Sequence, residues 1–303
     1  MKIFFYMIVA INLFGFSDWK LFDEKKEFKK IEFLDAKVLN ISSIGGENFF
    51  GISGLAYDKK RKTLFMLNDR SRLFKFKVEI KDKKIVSLKP LEVCRLKNHN
   101  GKNFFLYQSD SEGITLLHDK LFISFEGSYP KIREYDKDCK YRRTMYMASD
   151  LKNAKNYQGK NRALESLVYH TKYKLLTSPE RPLKKMEDGY MGIYNYKGLV
   201  CKYKMSDPKS SVVEYETLGD GNLLALFRRV YFPSLNFDIS LKKIYLQKGR
   251  CRVEEIATLK DSEGANLDNF EGLTKIDKNL YLMISDDNDN FFEETLLVLF
   301  ELR

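Results

Sequence analysis

Residues 267–288 read LDNFEGLTKIDKNLYLMISDDN. An acidic residue, Glu271, stands before a glycine and an apolar residue. Asp277-Lys278-Asn279 marks a turn, and Leu280 to Ile284 then run apolar without a break into Ser285-Asp286-Asp287-Asn288. Five apolar residues are too few for a helix and suit a strand buried on both faces. A polar point therefore opens one strand, and a carboxylate cluster closes the next.

The same arrangement occurs four more times upstream. Ser53-Gly54-Leu55 leads to LFMLNDR, Glu112-Gly113-Ile114 to LFISFEG, Glu165-Ser166-Leu167 to LLTSPER, and Glu214-Tyr215-Glu216 to LLALFRR. Taking the residue after each polar point, the anchors Gly54, Gly113, Ser166, Tyr215 and Gly272 are 59, 53, 49 and 57 residues apart. Short strands recurring at roughly 50 residues are the sign of a β-propeller. The count predicts an all-β chain forming a single propeller of five blades, or six if one copy is too degraded to see. After the fifth anchor only three strands remain, so the strand near Ile31–Leu39 is expected to supply the fourth. That pairing of N- and C-terminal strands closes the ring and removes open edges. Between anchors, segments such as RLFKFKVEI and KIREYD alternate apolar with basic residues, as outer strands with one wet face should.

These blocks resemble the phytase-like family, labelled "esterase-like activity of phytase". The resemblance is carried by DNFEGL, LMISDDN and TLLVLFEL at the C-terminal end, and by SGLAYD, LNDRSRLFKF, DSEGI and LFISFE earlier. It covers about Ile52 to Leu302. The fourth copy departs most, because VVEYE lacks the glycine and its strand ends in arginine. The resemblance implies an exported all-β propeller.

Residues 3–16 are apolar apart from Asn12 and Tyr6, too short a run to span a bilayer. Gly15-Phe16-Ser17 places small residues where signal peptidase reads, so residues 1–17 are expected to be a leader cleaved near Ser17/Asp18. Residues 18–303 then form one domain, periplasmic or secreted and monomeric. The formal net charge is +11, from 53 basic and 42 acidic residues scattered over turns and outer strands. That balance suits either a solvated surface or attraction to polyanions. No helix-turn-helix, zinc finger or aromatic-basic platform is present, which argues against nucleic acid. Cys94, Cys139, Cys201 and Cys251 form an even set that permits two disulfides of open pairing.

If the copies superpose, Ser53, Glu112, Glu165, Glu214 and Glu271 form one ring around the axis. Asp69, Glu126, Glu180, Arg228 and Asp286 form a second. Such carboxylates cannot all stay ionised at close range unless some hold protons or cations sit among them. The expected ligands of a hard cation such as Ca²⁺ are Glu112, Glu165, Glu214, Glu271, Asp286 and Asp287. Glu112, Glu165 and Glu271 are the catalytic candidates, with Arg70 and Arg228 holding an anionic substrate. That reading gives a hydrolase acting on phosphoester or ester bonds. In the alternative the glutamates are structural, the Asp-Asp-Asn run is a plain turn, and the propeller binds a glycan, lipid or protein of the envelope. There is no GxSxG elbow, no HExxH and no P-loop. His118 and His170 are expected in solvent-facing turns.

Overall fold

The computed structural model describes residues 15–104, 110–159, 162–290 and 292–303. Residues 1–14 of the expected leader therefore lie outside the described residues, as does part of the loop at 96–109. Gly15–Asp18 forms a short edge strand antiparallel to Ile31–Asn40.

Five sheets, antiparallel apart from the short pairing of Cys201 and Lys202 with Gly249 and Arg250, are arranged as the blades of one propeller. The innermost strands are Ile52–Asp58, Ser111–Leu117, Leu164–His170, Ser211–Thr217 and Asn269–Lys275. Each contacts the next around the ring, and the last returns to the first. Blade 5 is completed from the other end of the chain. Ile31–Asn40 pairs with Leu296–Leu302, with Ile31 opposite Leu302 and Val38 opposite Leu296.

The unbroken apolar run of the second strands has a simple cause. Leu64 and Met66 face the cluster between blades 5 and 1, while Phe65 and Leu67 face the cluster between blades 1 and 2. In blade 5, Tyr281 and Met283 pack toward blade 4, and Leu282 and Ile284 toward blade 1. Strand side chains alternate by face. A strand between two blades therefore has no wet side and is apolar or, as at Ser124, Thr177 and Ser178, a small hydroxyl bonded within the sheet. One hydrophobic cluster fills each of the five blade interfaces.

Both disulfides form, and each joins neighbouring blades. Cys94–Cys139 ties blade 1 to blade 2, and Cys201–Cys251 ties blade 3 to blade 4, with Cα atoms 6.0 and 5.7 Å apart.

Candidate active site at the carboxylate mouth

Each inner strand carries a β-bulge near its start. Ile52 pairs with Asn68 and Gly54 with Leu67, leaving Ser53 as the extra residue. Glu165 and Glu271 are the extra residues of blades 3 and 5. In blade 2 the irregularity spans Glu112 and Gly113. A bulge turns its extra side chain out of the ladder. The repeated glutamates thus open onto one end of the central channel. In blades 1, 2 and 5 the following position has almost no room. A Cβ on Gly113 would lie 2.5 Å from the Glu165 carbonyl of the next blade, and one on Gly54 would lie 2.7 Å from that of Glu112.

Blade 4 corrects the reading of its copy. There Val212 pairs with Phe227 and Glu214 with Leu226, so Val213 is the bulged residue. Glu214 occupies the register of Gly54, Ser166 and Gly272, one place beyond the glutamate ring. Its side chain is only 1% exposed, and Oε1 accepts bonds from the N–H groups of Leu167 (2.9 Å) and Tyr215 (2.8 Å). Oε2 has no partner among the described residues, and burial pushes the carboxyl well above the usual range. Glu214 is held inside the ring, apart from Glu112, Glu165 and Glu271.

The ends of the second strands latch the blades together, through Asp69, Glu126, Glu180 and Arg228 and, in blade 5, through Asp287 rather than Asp286. The residue closing each second strand meets the residue two before the bulge in the next blade. Glu126 accepts a bond from the Ala163 N–H. Glu180 accepts one from the Ser211 hydroxyl at 2.6 Å, and Arg228 donates to the Asn269 side chain. In blade 5 the contact passes to Asp287, which accepts from the Gly51 N–H (3.0 Å) and the Thr295 hydroxyl (2.9 Å). Only the latch between blades 1 and 2 sets acid against acid, Asp69 facing Asp110. Burial raises both, and the Asp110 charge adds to the rise of Asp69, which is pushed up to about 6.

Blades 1, 2, 3 and 5 therefore contribute carboxyl groups to one mouth, and blade 4 contributes Arg228. Asp110, Glu112 and Glu126 place carboxylate oxygens within 4.8 Å of one another. Burial, then the charges of Glu165, Glu126 and Asp110, drive Glu112 well above its ordinary value. Glu126 is raised to about 8 by burial and Asp110. Glu165 is raised strongly by burial, Glu126, Glu180 and Glu271, and Asp286 by burial and Glu271. The described cation set deepest among them is Arg228. It donates to Glu271 and lies 3.7 Å from Glu180, with side-chain exposures of 12%, 14% and 12% for Arg228, Glu271 and Glu180. Arg228 is thus committed to carboxylates and is not free to grip a substrate. Arg70 stands on the rim, stacked 4.4 Å from the Phe50 ring and 3.5 Å from Asp289.

The phytase-like model, described as esterase-like activity of phytase, matches residues 47–289. The chain belongs to this family. No curated protein matches it. Among solved structures it is similar to the PQQ-bound aldose sugar dehydrogenase of Streptomyces coelicolor, at 10% identity and a TM-score of 0.47, covering 89% of this chain and 98% of that one. It is also similar to the β-propeller domain of Cps50 (Swd1) from Myceliophteria thermophila, at 8% identity and a TM-score of 0.42, covering 94% and 99%. Neither likeness lends a residue role to this chain.

Within this phytase-like chain, sequence reasoning missed Asp110 and Asn269. Both stand two residues before a bulged glutamate, in DSEG and DNFEG, and that shared offset was the available signal. His118 is exposed in its turn, as expected. His170 is not: it is buried at 5% exposure. Its Nδ1 accepts from the Lys172 and Tyr173 N–H groups at 3.1 Å, and Nε2 contacts the Gly221 carbonyl at 2.9 Å. It organises a turn at the opposite end of the inner strand from the glutamates. No described helix is long and apolar enough to cross a membrane.

Proposed function

We propose that the carboxylate mouth binds a divalent cation and that the chain is a metal-assisted hydrolase of phosphoesters, working outside the cytoplasm. The observation that carries this is the Asp110–Glu112–Glu126 group, three carboxylates within 4.8 Å with no basic side chain bonded to any of them among the described residues. An all-oxygen donor set of this kind suits a hard ion such as Ca²⁺. Asp69 supports the fit, because its Oδ1 is buried without a partner and its charge couples to Asp110. The bound ion would supply a Lewis acid for the phosphoryl oxygen.

The chain's own residues have separate tasks. Asp110, Glu112 and Glu126 hold the ion. Burial, then Glu126, Glu180 and Glu271, raise the Glu165 carboxyl, which makes it the candidate general acid to protonate the leaving oxygen as water attacks phosphorus. Arg228 fixes Glu271 and lowers the repulsion along the wall. Arg70, on the rim, meets the anionic substrate. The two disulfides favour an oxidising compartment.

The latch contacts favour a second reading, in which the carboxyl groups only lock the blades and the mouth binds without catalysis. Calcium-dependent phosphate release from p-nitrophenyl phosphate and phytate separates the two. The hydrolase reading expects turnover that falls at least 100-fold in Glu112→Gln, and stoichiometric Ca²⁺ on dialysed protein. Turnover no higher than that of Glu112→Gln would remove it.

A further inference from the structure

The end of the propeller that holds the mouth also carries its most exposed apolar side chains. Tyr129 is 79% exposed in the turn after the second strand of blade 2, Lys120–Phe125. Tyr146 is 69% exposed in the link from the outer strand of blade 2 to blade 3. In blade 4 the second strand does not stop at Arg228 but runs on to Tyr231, with Asn236–Tyr245 returning beside it. Three added residues lift the hairpin by about 10 Å at 3.3 Å each. Phe232, 80% exposed, stands in the turn at its tip. A fourth, Phe292 at 86%, lies at the same end on a loop with Asp287, Asp289, Glu293 and Glu294, and is set apart by that charge. Every other exposed large apolar residue among those described is at 54% or less.

Cations stand beside the Tyr146 tip. The Lys152 ammonium lies 4.1 Å from the Tyr146 ring. Lys184 reaches the Lys155 carbonyl at 3.0 Å, so the Tyr146 link and the basic turn of blade 3 form one surface, joined by exposed Lys185. Separate aromatic tips, one of them flanked by lysines, do not make the contiguous packed core of a protein interface. They match the interfacial layer of a bilayer, where amphipathic rings sit at headgroup level and lysines meet anionic lipid.

We propose that the arc over blades 2 to 4 docks on an anionic lipid bilayer, setting the carboxylate mouth against the headgroups. This docking does not depend on hydrolysis. The test is co-sedimentation of the full chain with phosphatidylglycerol–phosphatidylcholine vesicles and with pure phosphatidylcholine vesicles. Binding is expected to the anionic vesicles only and to weaken at least fivefold in 0.5 M NaCl. The triple change Tyr129→Ser, Tyr146→Ser and Phe232→Ser should lower the partition coefficient at least tenfold with an unchanged melting temperature. If that variant unfolds, Phe232→Ser alone should lower it at least threefold. Three results would each overturn the proposal: no binding to anionic vesicles, binding that the aromatic changes leave intact, or binding to soluble polyphosphate without binding to vesicles.

Discussion

Replacing Arg228 with methionine tests whether the mouth is held by charge compensation. In the folded chain the guanidinium donates to Glu271 and to Asn269 and lies 3.7 Å from Glu180. Burial raises the Glu271 carboxyl, and Arg228 is the largest influence opposing that rise. Without it, Glu271 keeps only the 3.0 Å bond from Asn269. Removing one partner of a buried pair costs about 3–5 kcal/mol. Water still reaches the edges of these side chains, so the lower end applies, about 3 kcal/mol at pH 8. At about 2–4 °C per kcal/mol for a large domain, the melting temperature should fall by about 6–12 °C. At pH 5 the orphaned carboxylates take up protons, so the loss should shrink to about 1 kcal/mol. The double variant Arg228→Met with Glu271→Gln removes both charges and should recover at least half of the loss. Urea denaturation followed by far-ultraviolet circular dichroism, in EDTA at both pH values, measures all of this. A loss under 1 kcal/mol at pH 8, or an equal loss at pH 5, refutes the compensation argument.

Stability without metal should fall as pH rises from 5 to 8. Glu126 is raised from 4.5 to about 8, Asp268 from 3.8 to about 7 and Asp69 from 3.8 to about 6, each chiefly by burial. The folded state then binds more protons than the unfolded state, so the slope is negative between the two pKa values of each group. Asp268 alone accounts for roughly 4 kcal/mol over that window at 1.36 kcal/mol per unit, and Asp268→Asn should flatten the urea-midpoint profile; a midpoint that climbs with pH contradicts this. Glu214→Ala leaves the Leu167 and Tyr215 N–H groups unpaired and should cost about 2–5 kcal/mol. Glu214→Gln keeps an acceptor without the buried charge and should match the parent at pH 8, so thermal melts in which both variants behave alike would dismiss the role given to Glu214.

The propeller was legible because its geometry forces a rule onto the sequence. A second strand squeezed between two blades must be apolar apart from small bonded hydroxyls, and a bulge beside a crowded strand start asks for Glu-Gly. The apolar strand recurs with small polar exceptions in blades 2 and 3, and Glu-Gly stands in full only in blades 2 and 5. Blade 4 was misread because VVEYE offers two glutamates and no glycine. Matching Glu214 to the other glutamates by identity ignored that Val213 bulges, a fact of strand register that residue type does not carry. The disulfide pairing was out of reach because it depends on which blade edges lie side by side. The role of Arg228 was out of reach for a similar reason: a cation among carboxylates looks free until its partners are placed around it.

The strand that closes blade 5 sets the timing of assembly. Leu296–Leu302 lies between Leu280–Asp286 and Ile31–Asn40. A chain emerging N-terminus first presents Ile31–Asn40 more than 250 residues before its partner exists. Until then the early strand has no sheet to join and the circle stays open on one side. Blades 1 to 4 can form in sequence on their own hairpins, but the mouth, which draws on every blade, comes into being only with the final segment.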